Sequence, residues 1–147
     1  MTTTETQTTQ IYRIAIEATP EAIWEAITTP EFSRRYFHGA RITNTPERHL
    51  ALAPDGSVWG DEATLEWDPP RRLVHGWRSL YDPALATEPE SRVTWEITPR
   101  DDGGCVLTVV HDRLEASPRT AASASGEGWM SVLSGLKAVL ESDLREP

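Results

Sequence analysis

The segment that most constrains this chain runs from Ser125 to Leu144, SGEGWMSVLSGLKAVLESDL. Trp129, Leu133, Leu136, Leu140 and Leu144 recur at steps of four, three, four and four. That spacing draws one apolar stripe along a helix, with Ser131, Ser134, Lys137, Glu141 and Asp143 largely off it. Ser125 or Gly126 suits the N-cap, Glu127 complements the positive end of the helix dipole, and Pro147 lies just past the end. No other stretch supports so long a helix. Residues 39–113 read as strands instead, and a sheet with one apolar face needs a cover. The C-terminal helix is expected to be that cover.

The strands are marked by their punctuation. Pro54-Asp55-Gly56-Ser57, Asp68-Pro69-Pro70 and Asp101-Asp102-Gly103-Gly104 are turn signals. Between them, strands are expected at Arg41–Asn44, Arg48–Leu52, Trp59–Trp67, Arg72–Ser79, Arg92–Thr98 and Cys105–Asp112. Leu73/His75/Trp77, Val93/Trp95/Ile97 and Leu107/Val109/His111 alternate with Val74/Arg78, Thr94/Glu96 and Thr108/Asp112, so one face is apolar and also aromatic. Short turns between consecutive strands imply an antiparallel meander. A first strand, QIYRIAIE from Gln10, puts Tyr12, Ile14 and Ile16 on one side. Thr19-Pro20 and Thr29-Pro30 each pair an N-cap with a proline at the first helical position, so two short helices should follow. Tyr81–Ser91 reads as a long connection, a candidate lid, and Ser117–Ser125 as a small-residue linker. Residues 1–9 read as a disordered tail and 10–144 as a single α+β domain.

Composition narrows the partners. A net charge of −9 over 147 residues argues against nucleic acid, which needs a basic face. No run is long enough for membrane insertion, and the single Cys105 cannot form an intrachain disulfide. A cytoplasmic protein is the expectation. Nucleophile-elbow, zinc-protease, P-loop and dinucleotide signatures are missing, so no cofactor and no metal is expected. The four histidines, His38, His49, His75 and His111, lie far apart and have no ligand partner at helical spacing.

Four blocks in order, ATPEAIWEAITTPE, LEWDPPRRLVHGWR, SRVTWEITPRDDGGCVLTVVHD and EGWMSVLSGLKAVLE, resemble the START-like (SRPBCC, helix-grip) superfamily. Within it they resemble the branch named after the activator of the heat-shock-protein-90 ATPase, over about residues 10–142. The resemblance implies a curved antiparallel seven-stranded sheet wrapped around the long C-terminal helix, with two short helices after the first strand and an apolar cavity between sheet and helix. Members bind lipids, sterols, polyketides or hormones, act as cyclases, or serve as chaperone cofactors. The known activators carry an additional N-terminal domain, which weakens the chaperone reading for this sequence.

The first expectation is therefore a small hydrophobic ligand held in the cavity by a monomer or homodimer. Trp77, Trp95, Trp129, Leu133 and Leu136 are expected as apolar walls, and His75, His111 and Arg92 as polar anchors. Tyr36, in the stretch Tyr36-Phe37-His38-Gly39, is expected near the mouth. A cyclase- or hydrolase-type enzyme is the alternative, with His75, His111 and Glu62 as its acid–base candidates. Against each stands a plainer role: core histidines bonded to neighbours, and a surface carboxylate. A chaperone-directed interaction module is the third reading.

Overall fold

The computed structural model describes residues 9–80, 82–123 and 128–145. The expected tail through residue 8, Tyr81, the helix entry at Ser125–Glu127, Pro147 and the side chain of Leu144 lie outside the described residues. The elements run β1 (Gln10–Ile16), α1 (Pro20–Thr28), α2 (Pro30–Tyr36), β2 (Arg41–Asn44), β3 (Arg48–Leu52), β4 (Val58–Asp68) and β5 (Arg72–Trp77). They continue with α3 (Pro83–Ala86), β6 (Ser91–Pro99), β7 (Cys105–Asp112), α4 (Pro118–Ser123) and α5 (Trp129–Arg145). The strands form one seven-stranded sheet in the order β1-β7-β6-β5-β4-β3-β2, and every pairing is antiparallel. This is the α+β helix-grip arrangement. Register shifts near Ala51/Leu52 and between Thr64 and Glu66 are bulges of the kind that bend a sheet.

The strand alternation sorts the two faces as the sequence implies. Leu73, Val93, Trp95, Ile97, Leu107 and Val109 point to the helix side and are buried. The opposite face carries ion pairs across neighbouring strands: Arg48 with Asp61, Arg72 with both Glu66 and Glu96, and Arg92 with Asp112. α5 lays Trp129, Val132, Leu133, Leu136 and Leu140 onto the apolar face, each less than a twentieth exposed. Burial of such side chains contributes roughly 2 kcal/mol each as an upper estimate.

The short helices frame one end of the sheet. Thr19 Oγ1 accepts from the Ala22 N–H at 3.1 Å, the cap expected for α1. Thr29 behaves differently. Its hydroxyl donates back to the Glu25 carbonyl at 2.8 Å, so it closes α1, and its side chain does not cap α2. Ser33 ties α2 to β2, donating to Ala40 O at 2.9 Å and accepting from the Ile42 N–H at 2.7 Å. Gly135 lets α5 approach α2: a Cβ there would sit 3.1 Å from Tyr36 Cβ.

Two segments read as connections contain helices. α3 lies inside the 81–91 connection, capped by Asp82 Oδ1 accepting from the Ala84 N–H at 2.8 Å. α4 occupies most of the expected linker and is bound to that connection. Glu88 accepts from the Arg119 and Thr120 N–H groups at 2.9 and 2.8 Å, and Ser117 Oγ donates to Pro89 O at 3.0 Å. Among the described residues no helix is long and apolar enough to cross a membrane.

Candidate functional site

Where β3, β4 and β5 face the end of α2 and the start of α5, the sheet and helices leave a pocket of about 250 Å³. Its walls are mostly apolar. Ile42 comes from β2, Ala51 from β3, Trp59 from β4, Trp77 from β5, and Trp129 and Val132 from α5. Phe37 enters from the turn after α2, where His38 and Gly39 both adopt positive φ, 55° and 80°. Glycine accepts that backbone readily; histidine does so at some cost. The turn closes with the Ala40 N–H donating to Phe37 O at 2.9 Å. It holds the Phe37 ring 6.1 Å from the centroids of both Trp77 and Trp129, which lie 5.4 Å from each other. These are the separations of tilted and edge-on aromatic packing.

Polar atoms reach the pocket at few places. His38, His49, Glu62, Arg78, Ser79 and Thr120 supply them. His49 and Glu62 are register partners on β3 and β4 and stand side by side on the inner face. Burial, the hydrogen bond to Glu90 and the charge of Glu90 push the Glu62 carboxyl up to about 8, against the opposing pull of Arg78. Glu90 itself lies over Gly76, where a Cβ would stand only 1.9 Å from its Oε1.

Three histidines are buried around this pocket, and their hydrogen bonds fix their tautomers. His75 Nδ1 lies 2.8 Å from the Gly76 carbonyl, which only accepts, so Nδ1 carries the proton. Its Nε2 then accepts from the Trp95 indole N–H at 3.0 Å. His111 is the reverse case. Nδ1 accepts from the Trp129 indole at 3.1 Å, so Nε2 carries the proton and donates to Ser91 Oγ at 2.7 Å. Ser91 in turn donates to Trp77 O at 3.2 Å. Both nitrogens of both rings are thus committed. Burial drives each pKa down to about 4, so both rings stay neutral at physiological pH.

His49 stacks on His75 with ring centroids 3.8 Å apart and planes 3° from parallel. The Asn44 amide donates to Ile27 O at 2.7 Å, which turns Asn44 Oδ1 toward His49 Nδ1 at 2.6 Å. His49 Nδ1 is therefore a donor and its Nε2 an acceptor. Burial and the neighbouring His75 hold the His49 pKa well below the usual value.

Of the residues singled out in the sequence, Trp77, Trp129 and Glu62 line the pocket. His75 and His111 point inward but sit behind its wall, fully buried and fully bonded. Trp95 lies behind Trp129 at 5.4 Å, and Leu133 and Leu136 are core residues under α5. Tyr36 is buried and donates its hydroxyl to Ala26 O at 2.7 Å, while its neighbours Phe37 and His38 line the pocket. Arg92 is on the other face of the sheet, where it donates to Asp112 at 2.8 Å, because its position in β6 has the opposite parity to Val93 and Trp95. Cys105 is buried, and burial raises its thiol pKa. His49, Phe37, Trp59 and Val132 are pocket residues that the sequence reading passed over as ligand contacts. Among the described residues no three His, Cys, Asp or Glu side chains are grouped to hold a metal ion.

Comparison with known proteins bears on the same region. Residues 17–141 match the family model described as activator of Hsp90 ATPase homolog 1-like protein. Protein MLL2253 from Mesorhizobium loti superposes with a TM-score of 0.73 at 24% identity, covering 95% of this chain and 99% of that one. DynU16, a putative protein in the dynemicin biosynthetic locus, gives 0.72 at 20% identity, covering 93% of this chain and 48% of that one. The Aha1 dimer from Colwellia psychrerythraea gives 0.69 at 16% identity, covering 90% and 96%. At these identities the likeness is one of fold. No curated protein matches by sequence.

Proposed function

This chain belongs to the family of activator of Hsp90 ATPase homolog 1-like proteins, and from that membership we propose that it binds a small hydrophobic molecule between sheet and C-terminal helix. The observation that carries the reading is the pocket itself: aromatic walls from Phe37, Trp59, Trp77 and Trp129, with few polar groups among them. Its volume of about 250 Å³ lies just under the range of roughly 300–1,000 Å³ typical of small-molecule sites. That size favours a compact, flat, aromatic- or polyketide-like ligand over a long acyl chain. The buried Cys105 thiol supports a cytoplasmic setting.

Native mass spectrometry of the purified protein, with extraction of anything bound, tests the proposal. A co-purifying hydrophobic molecule, or quenching of tryptophan emission by compact aromatics, is the expected result. An empty protein whose emission ignores a panel of such compounds would overturn it.

A second reading, proton-transfer catalysis in the same pocket, is favoured by one observation, the Glu62 carboxyl held protonated beside Glu90. Glu62→Gln would then abolish turnover while leaving ligand affinity within a few-fold. A monomer or homodimer remains part of the proposal, and light scattering across a concentration series distinguishes them.

A further inference from the structure

The three buried histidines differ in one respect that bears on what the pocket takes. His75 and His111 have both ring nitrogens bonded within the protein. His49 has one. Its Nδ1 proton goes to Asn44 Oδ1, and Asn44 is held in that orientation by Ile27 O. The amide cannot flip without setting its NH₂ against the ring proton and its oxygen against a carbonyl. Nε2 is left with a lone pair and no partner among the described residues. No fully buried side-chain nitrogen or oxygen among them is unsatisfied, so Nε2 keeps an open approach, and the pocket is what its ring borders. The residue as a whole is only 3% exposed.

We propose that His49 Nε2 is the acceptor that selects the ligand, and that the ligand is a flat aromatic or enolic molecule carrying a free hydroxyl. The inference rests on the pocket-binding reading above. A buried lone pair with no donor loses a hydrogen bond to water when an apolar ligand fills the space, so an unsubstituted hydrocarbon is penalised there. A hydroxyl donor restores the bond. The tautomer is preset: Asn44 holds the Nδ1 proton, and the parallel His75 ring holds the plane. His49 therefore meets the ligand as an acceptor without reorganisation. The aromatic edges of Phe37, Trp77 and Trp129 suit a planar scaffold and leave the hydroxyl as its one polar handle. Methylating that hydroxyl removes the donor and adds bulk where the lone pair points.

The test uses 2-naphthol and 2-methoxynaphthalene against the intact protein. Binding is followed by tryptophan emission, and the ring ¹⁵N resonances of His49 are followed by NMR. Wild type should bind 2-naphthol about tenfold more tightly than the ether, the ratio one net hydrogen bond gives. The His49 Nε2 resonance should move on binding while those of His75 and His111 stay. His49→Phe keeps the stacked ring but loses the acceptor, and it should bind both compounds alike. Should the variant fail to fold, the wild-type affinity ratio and Nε2 shift decide alone. Equal binding of the two compounds by wild type, or an unmoved Nε2, overturns the role of His49 and leaves the pocket reading standing. Binding of neither compound overturns the role of His49, and where the wider panel of compact aromatics also leaves the emission unmoved it overturns the pocket reading as well.

Discussion

His49 and His75 stack face to face, 3.8 Å between centroids, each with its Nδ1 proton already given to an oxygen. Protonating either ring puts a cation against its neighbour in a buried layer. His75 also loses the acceptor that receives the Trp95 indole, because a second proton on Nε2 would face another donor. The pair thus behaves as a neutral slab beneath the pocket, held by partners from β2, β5 and β6.

The first consequence is acid sensitivity. Burial depresses the pKa of His75 and His111 to about 4 and lowers that of His49 in the same direction. Glu90 and the Gly76 carbonyl pull His75 the other way, and Asp112 pulls His111, without reversing the shift. Between about pH 6.5 and pH 4 the unfolded chain binds the protons of His75 and His111 and the folded one does not, and His49 acts in the same direction. The histidine contribution is therefore full above pH 6.5 and falls as pH drops through that window, by on the order of 1 kcal/mol per pH unit for each of His75 and His111. Urea unfolding at half-unit steps from pH 7 to pH 4.5 measures the slope. A flat profile there would show that the rings protonate in place.

Much of this arrangement was legible in the sequence, and the limits have physical reasons. The α5 stripe and the β5, β6 and β7 alternations were clear because each large apolar side chain repeats at the period of its element. β3 is the exception. In Arg48-His49-Leu50-Ala51-Leu52 the two leucines occupy one parity and His49 with Ala51 the other, yet the second set is the more buried. Periodicity alone turns His49 outward. His75 and His111 share the parity of the apolar residues on their strands, but the indoles that close them come from β6 and α5, and such pairings depend on register. α3 and α4, at four and six residues, are too short to display a helical period.

Trp129 joins core and pocket. It donates to His111, packs on Trp77 and Trp95, and lines the cavity. Trp129→Phe should remove the donor, leave His111 Nδ1 unsatisfied and enlarge the pocket. A loss of about 2–4 kcal/mol is expected, the sum of an orphaned acceptor and a modest cavity. Chemical denaturation measures it, and a change under 0.5 kcal/mol would show that the indole bond contributes little.

Glu62 gives a pH effect of opposite sense. Its pKa of about 8 lies above the ordinary carboxyl value, raised by burial and by Glu90 and Asp61 and lowered by Arg78. The stabilising state is the protonated one, fully present below the unfolded pKa and lost as pH rises through the folded value. Stability should decline between about pH 4.5 and pH 8 from this group. Partial solvation reduces the size of the effect below what the shift alone implies. Glu62→Gln removes that titration, so the variant should gain in melting temperature over wild type from pH 5 to pH 9. An unchanged difference across that range would mean the carboxyl ionises freely in the fold.

Asn44 controls the tautomer on which the His49 assignment depends. Replacing it with aspartate keeps an oxygen opposite Nδ1 but makes it anionic, and a charge-assisted bond to imidazolium favours the protonated ring. The same change removes the donor to Ile27 O, which costs about 1–3 kcal/mol and must be checked by unfolding. In the wild type the His49 ring should remain neutral well below the ordinary imidazole range, as its burial and the facing His75 dictate. In Asn44→Asp it should titrate at or above the usual value near 6.5, and its Nε2 should turn from acceptor to donor. Ring ¹⁵N titrations of both proteins distinguish the cases. The variant should then lose the preference for 2-naphthol, because the oxygens of naphthol and ether can both accept from a protonated Nε2. A folded variant that keeps the full wild-type ratio would place the ligand's hydroxyl on some group other than His49.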